Sequence, residues 1–205
     1  MIYPPNGRQG MMKGAVWWQT VVMMVPVDRR SRARGKGFAM EMYRCKGCGY
    51  LHVGPAPERC PVCGAPQSFF VAHEGPGDLS GTKTLENLMA AFAGESQAYQ
   101  RYTLFARIAE LEGRAEAKKA FDRARTEEAA HALGNLAYAA GFGSTEENLT
   151  SAIAGEEHET AEMYPSFADI AEAEGYPEIA QYFRALGGYE RQHRDAYRKV
   201  LESGE

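Results

Sequence analysis

Long apolar runs are missing from this chain. Apolar residues make up 44% of its 205, yet no window approaches the roughly 18 consecutive ones that a membrane-spanning helix requires, which excludes an integral helical membrane protein. Cysteine is scarce. Four in the whole chain is far below the density of disulfide-stabilised scaffolds. No G-x-G-x-x-G fingerprint occurs, so the chain is not expected to bind NAD(P)H itself. Net positive charge is absent as well: 23 Lys+Arg stand against 27 Asp+Glu, a formal charge of -4.

That small charge conceals a split. Residues 1–40 hold seven Lys/Arg and one acid, Asp28, for +6, whereas residues 41–205 hold 16 bases and 26 acids, for -10. The acidic body lacks the clustered Lys/Arg of a nucleic-acid surface. In the first forty residues an apolar stretch, 15–27, is interrupted by Gln19, Thr20 and Pro26, and a basic run from Arg29 to Lys36 lies behind it. A secretory signal has the opposite order, with the charge first and a small-residue cleavage site after. Residues 1–40 are read as a disordered basic leader, or as sequence upstream of a start at Met40 or Met42; a basic arm for nucleic acid is the alternative.

All four cysteines fall in one short stretch, as Cys45-Lys-Gly-Cys48 and Cys60-Pro-Val-Cys63. A C-x-x-C turn lets two thiolates converge on one ion, and two such turns close a tetrahedral site suited to zinc or iron. Gly49 and Gly64 follow the second cysteine of each pair, where a tight turn often needs positive φ. A redox dithiol or two disulfides is the competing reading, and the clustering disfavours it. His52 and His73 are read as surface residues, because the thiolate set is complete without them. Residues 41–75 are too few for a large core, so bound metal would supply much of the folding free energy. Gly75-Pro76-Gly77-Asp78 opens a linker, residues 76–83, with Ser80, Thr82 and Thr84 as candidate helix caps.

From residue 84 to 205 the chain is helical and repeats itself. Residues 86–95 (ENLMAAFAGE) match 147–156 (ENLTSAIAGE) at an offset of 61, and 105–113 (FARIAELEG) match 167–175 (FADIAEAEG) at an offset of 62. Phe121, Glu128 and His131 pair with Phe183, Glu190 and His193 at that second offset. Two copies of a helical hairpin predict a four-helix bundle, with helices over 84–112, 114–140, 145–174 and 177–203. Ser144-x-x-Glu147 reads as a capping box, and Pro177 suits a first helical turn. The change of offset places one extra residue between Glu156 and Phe167. Pro165 lies in that interval and cannot donate to the carbonyl four residues back, so a π-bulge or kink is expected there.

The apolar stripes of these helices are interrupted near their middles. The first reads Leu85, Leu88, Phe92, Glu95, Tyr99, Tyr102; the second Phe121, Ala124, Glu128, His131, Asn135, Tyr138. The third begins Leu149, Ala152, Glu156, Glu159, Met163, and the fourth reads Phe183, Leu186, Glu190, His193, Tyr197. A carboxylate isolated in a core costs several kcal/mol. Glu95, Glu128, Glu156, Glu159 and Glu190 with His131 and His193 are tolerated together if divalent cations hold them. One E-x-x-H is weak evidence, but two at matching positions of a duplication point to metal. Five carboxylates also balance two cations better than one. His158 breaks the pattern and is read as exposed.

The cysteine knuckles resemble those of rubredoxin in a shortened form, and one Glu from each of two helices with E-x-x-H from two others is the constellation of ferritin-like di-iron proteins. Over roughly 42–205 the chain resembles the rubrerythrin family in its reverse order, with the rubredoxin-like domain first. The resemblance implies a mainly α chain: a ferritin-like four-helix bundle preceded by a small rubredoxin-like domain. It implies a mononuclear iron on Cys45, Cys48, Cys60 and Cys63 (zinc being the alternative) and a non-haem di-iron centre on the five Glu and two His. Tyr102 and Tyr164 would lie close by. Glu159 would be the carboxylate that exchanges with His131 as the iron changes oxidation state.

The function so implied is reduction of hydrogen peroxide to water, in oxidative-stress defence, with electrons relayed through the four-cysteine iron. The expected donor is a rubredoxin or a flavoprotein reductase. A reducing cytoplasm is the expected location. A ferroxidase or other iron-handling protein, or a structural bundle bearing a zinc ribbon, is the competing reading. The short connection between the second and third helices favours a homodimer in which hairpins are exchanged between copies.

Overall fold

A computed structural model describes residues 41–73, 77–139 and 142–204. The proposed leader, 1–40, lies outside the described residues, as does most of the Gly-Pro-Gly part of the linker. The chain divides into two compact units that meet in sequence between Gly143 and Ser144.

The first unit opens with three short strands, β1 (Met42–Cys45), β2 (Leu51–Val53) and β3 (Phe70–Ala72), in the antiparallel order β2-β1-β3. Tyr43 pairs with His52 on one side and Ala72 on the other. The core beneath is Cys45, Cys60 and Phe70, with Tyr43, Tyr50 and Val62 packed on it. So few buried side chains cannot offset the ordering of the segment, and the thiols themselves form part of the core.

Two long helices follow, α1 (Lys83–Leu111) and α2 (Ala115–Tyr138). Of the three candidate caps, Thr82 takes the position, its hydroxyl accepting from the Leu85 N–H at 3.2 Å. Gly113 turns the chain between the helices at φ +70°. The strands lie beside α2 through β2. The His73 ring meets Tyr138 edge-on at 5.0 Å, and the Arg44 guanidinium stands 6.0 Å from the same ring. His73 is thus an interdomain contact and not the plain surface residue expected.

The second unit repeats the hairpin with one change. α3 (Thr145–His158) is closed at its start by the expected capping box: Ser144 accepts from Glu147 N–H while the Glu147 carboxylate accepts from Ser144 N–H. A π-helical turn (Glu159–Met163) then interrupts the helix before α4 (Tyr164–Ala173), and α5 (Pro177–Ser203) returns antiparallel. The Tyr164 N–H reaches the Glu159 carbonyl, five residues back. The bulge lies in the interval that the offset marks, one turn ahead of Pro165, whose missing N–H leaves the local ladder short of a donor.

Ring geometry shows what the extra residue achieves. In the first hairpin Tyr102, Phe105 and Phe121 cluster, with Phe105–Phe121 at 5.5 Å and Tyr102–Phe121 at 6.1 Å. In the second, Tyr164, Phe167 and Phe183 cluster at 5.6 and 6.2 Å for the equivalent pairs. The bulge absorbs one residue and the two copies then run in the same register.

Two expectations need correction. The large residues of the helical stripes are half-buried within each hairpin, and the buried helical positions, Met89 apart, are small: Ala98, Ala106 and Ala109 on α1; Ala130, Ala132, Gly134 and Ala137 on α2; Ala168, Ala171, Ala180 and Gly187 in the second unit. Two helices in contact cover only the narrow seam between them, and small side chains let that seam close. His158 is not exposed either: its side chain retains 15% accessibility and its Nδ1 lies 3.4 Å from Glu162, an (i, i+4) pair made at the π-turn.

Candidate metal centres

The two cysteine knuckles are built alike. Gly49 and Gly64 donate to the carbonyls of Cys45 and Cys60 at 2.9 Å, and the N–H groups of those two cysteines donate to the carbonyls of Tyr50 and Ala65 at 2.8 Å. Both glycines take positive φ, +80° and +73°, the conformation expected of them. The turns bring Cys45 Sγ to 3.7 Å from Cys63 Sγ and Cys48 Sγ to 3.6 Å from Cys60 Sγ. These separations are far beyond the ~2.05 Å of a disulfide. They fit a tetrahedral ion, whose sulfurs, each about 2.3 Å from the metal, stand about 3.8 Å apart. Gly47 leaves room beside the sulfurs: a Cβ there would lie 3.4 Å from Cys63 Sγ. Burial, followed by the neighbouring thiols, pushes the Cys48 thiol up to about 12, against the backbone N–H of Tyr50, which favours the thiolate. A bound cation removes that penalty, and the donor set fits a thiolate-preferring metal.

Each hairpin of helices carries a carboxylate–histidine triad. Glu95 on α1 joins Glu128 and His131 on α2, and Glu156 on α3 joins Glu190 and His193 on α5; within each triad the donor atoms lie inside 4.8 Å of one another. The E-x-x-H spacing puts both side chains on one face, one turn apart. His131 Nδ1 lies 3.0 Å from Glu128, and His193 Nδ1 lies 2.7 Å from Glu190 and 3.9 Å from Glu156. Within their hairpins these residues are half-buried, apart from His193, which is 54% exposed. The expectation of a ligand set buried in a core is therefore not met inside either unit, for the same reason that the large apolar residues remain half-covered.

The electrostatics of the triads differ. The Glu95 carboxyl is raised, first by its hydrogen bond to Glu128 and then by burial, while the bonds from Glu95 and His131 hold Glu128 low. The hydrogen bond between them thus acts in opposite senses on its two ends, making Glu95 the carboxyl that holds a proton more readily. In the second hairpin both Glu156 and Glu159 are raised, first by burial and then by their neighbours, Glu190 beside Glu156, and Glu156 with Glu190 beside Glu159. Glu159 lies outside the tight triad yet within its field. Tyr164 is raised as well, by burial and then by the charges of Glu159 and Glu190. Tyr102 sits in the ring cluster with Phe105 and Phe121. Crowded carboxylates with one imidazole beside each group are the donor set that a divalent or trivalent cation satisfies. The structure thus brings the seven proposed di-iron ligands together as two groups of three with Glu159 beside the second.

One residue near the cysteine centre escaped the sequence reading. Gly134 is buried on α2, and a Cβ there would lie 3.3 Å from the carbonyl oxygen of Gly49. The signal available was a glycine in a helix interior, a costly placement without a packing reason.

Comparison with known proteins follows the same division. The profile described as Rubrerythrin matches residues 86–201, and that described as Rubrerythrin, rubredoxin-like domain, matches 43–71. Rubrerythrin of Porphyromonas gingivalis is 41% identical over 136 residues, covering 60% of this chain and 68% of that protein. Rubrerythrin of Nitratidesulfovibrio vulgaris is 39% identical over 132 residues, or 58% and 69% of the two chains. Reverse rubrerythrin-1 of Clostridium acetobutylicum is 33% identical over 181 residues, spanning 79% of this chain and 97% of the relative. A four-cysteine domain of the rubredoxin-like type precedes a ferritin-like helical domain bearing a carboxylate–histidine set consistent with a di-iron centre, and the chain belongs to the rubrerythrin family.

Proposed function

We propose that this protein is a reverse-type rubrerythrin that reduces hydrogen peroxide to water, defending against oxidative stress with electrons delivered through the four-cysteine centre. The observation that carries this reading is the coexistence on one chain of a four-thiolate site and two equivalent carboxylate–histidine triads. Glu95, Glu128 and His131 from the first hairpin, with Glu156, Glu159, Glu190 and His193 from the second, are the proposed di-iron ligands. Iron held there supplies the Lewis acid and the two electrons that, with two protons, turn one peroxide into two waters as the O–O bond breaks.

The protein's own groups prepare that chemistry. Glu95, held above the ordinary carboxylate range, would give up the proton it holds when metal is loaded, so metal uptake would release protons. Glu159, which has no counterpart in the first hairpin because Ala98 stands there, gives the second half an additional oxygen donor. Tyr164 lies in the field of Glu159 and Glu190, where its phenol can hydrogen-bond a ligand carboxylate; Tyr102 is proposed for the first half. Cys45, Cys48, Cys60 and Cys63 would hold the iron that would pass electrons, one at a time, from a rubredoxin or a flavoprotein reductase. An electron-accepting centre of this kind has no use in a ferroxidase, which receives its electrons from the iron it oxidises.

A homodimer with exchanged hairpins completes the proposal. Only residues 139–144 lie between α2 and α3, at most about 21 Å of extended chain, while α2 alone is about 36 Å long. Each hairpin also leaves large apolar residues exposed, Leu104, Ile108 and Leu133 on one and Phe167, Ile170 and Ile179 on the other. A reducing cytoplasm suits both iron sites; among the described residues no helix is long and apolar enough to cross a membrane. The test is peroxide consumption by iron-replete protein supplied with a reduced rubredoxin-type donor, with metal analysis alongside. No turnover sinks the peroxidase reading, zinc in the four-cysteine site sinks the relay, and a fully active monomer sinks the dimer.

A further inference from the structure

We propose that Gly134 is a positioning residue: the lack of a side chain there seats the Gly49 carbonyl against α2 and fixes the four-cysteine centre one helical turn from His131. Gly134 sits in the interior of a helix that its backbone does not require to be glycine, since it takes no positive φ. Glycine weakens a helix relative to alanine, so a packing reason is needed, and the structure provides one. A Cβ at this position would stand 3.3 Å from Gly49 O, tighter than ordinary contact.

The obstructing atom is backbone and cannot swing away. Gly49 follows Cys48, holds φ +80° and donates to the Cys45 carbonyl. A side chain at 134 must therefore displace the knuckle and its sulfurs together. One turn on, Tyr138 makes the second point of the seat, against the His73 ring and the Arg44 guanidinium. On the other side the seat reaches the triad: Gly134 follows His131 by three residues, about 4.5 Å along the axis, and Asn135 Nδ2 donates to the His131 carbonyl at 3.0 Å.

The duplication acts as an internal control. At the offset that superimposes Glu128 on Glu190 and His131 on His193, Gly134 corresponds to Ala196 and Tyr138 to Val200, and both of these are exposed. The copies keep the ligands and differ at the two seat positions, and the hairpin that carries the knuckle is the one with the glycine.

The consequence for rate rests on the relay proposed above, since electron tunnelling falls steeply with distance; the seat itself does not. The test uses full-length, iron-loaded protein as Gly134→Ala and Gly134→Leu. Alanine is the better helix former, so the first variant keeps the fold even if the second does not. Hydrogen exchange at residues 51–53 should quicken about tenfold in Gly134→Leu as the strands lift from α2, and less in Gly134→Ala. In stopped flow, fully reduced protein meets one equivalent of peroxide, and the visible band of the four-cysteine iron reports one electron leaving it for the oxidised di-iron centre. That phase should slow roughly tenfold or more in Gly134→Leu, with the preceding oxidation of the di-iron centre unchanged. Unaltered exchange in both variants overturns the seat. Faster exchange with an unaltered electron-transfer phase overturns its role in the relay. If peroxide never oxidises the four-cysteine iron of the unsubstituted protein, the proposed function fails, and exchange alone then upholds or overturns the seat.

Discussion

The two helical hairpins are copies of one sequence that now do different work. Both present Glu with E-x-x-H and both stack a Tyr and two Phe beyond it at nearly equal ring distances. Beside the triads they part at Ala98 in the first and Glu159 in the second, and at the π-turn that begins there. In the first hairpin the hydrogen bond between Glu95 and Glu128 raises the one carboxyl and holds the other low. In the second, Glu156 and Glu159 are both raised and no such partition occurs. The lesson is that a duplicated scaffold can keep its ring and triad geometry while one substitution, Ala98 against Glu159, adds a carboxylate and one inserted residue is absorbed in a π-turn.

The most severe way to break the comparison is to remove the equivalent ligands in turn. Glu128→Ala and Glu190→Ala should each lower peroxide turnover by about a hundredfold or more, since even partners outside the ligand set cost 10–100-fold. If one variant loses activity and bound iron while the other keeps both, the halves are not equivalent and a single di-iron centre is wrong.

Glu159→Ala makes the second hairpin resemble the first. Turnover should fall on the order of tenfold while iron analysis still finds two ions in the helical domain. Loss of an entire iron would instead make Glu159 indispensable to binding.

A pH series on the metal-free protein sharpens the electrostatic contrast. A carboxyl raised in the folded state binds more protons there than in the unfolded chain, so stability falls as pH climbs past the ordinary carboxylate value of 4.5 and stops falling above the raised value. The Tm should therefore decline by a few degrees over that rise, and Glu156→Gln with Glu159→Gln should flatten the decline. Metal-loaded protein should not show it. A flat metal-free profile would contradict the raised carboxyls.

The smallest effects concern helix ends and the flanking phenol. Ser144→Ala removes a reciprocal capping box and should cost about 1 kcal/mol by thermal or denaturant unfolding. Tyr164→Phe should slow turnover roughly fivefold, the worth of about one hydrogen bond, and more than Tyr102→Phe does. Equal effects would place both tyrosines alike and remove that asymmetry.

Much of this was legible before any coordinates. Cys45, Cys48, Cys60 and Cys63 announce a metal site because C-x-x-C turns are local, and the geometry found needs only the two glycines that follow them. The triads were legible because E-x-x-H obeys the helical period, and the π-turn because a one-residue shift between repeats has to be absorbed somewhere. Other features were hidden. His158 looked exposed because it breaks the ligand pattern, yet its side chain is largely covered and lies 3.4 Å from Glu162 of the π-turn. The stripes at Leu88, Phe92 and Phe183 read as core, yet one hairpin alone covers them only in part. Gly134 gave no periodic signal, and the place of Tyr138 in the stripe did not name its partners, because Gly49, Arg44 and His73 lie more than sixty residues away.

Sequence by itself determined which residues can hold metal, that the helical domain is a duplication, and where the extra residue lies, because each depends on short-range spacing along one helix or turn. Only the tertiary structure decided which carboxyls are raised and which is held low, which small residues close the helix seams, and where the cysteine domain rests on α2. Those depend on distances between segments far apart in the chain, and no local period encodes such distances.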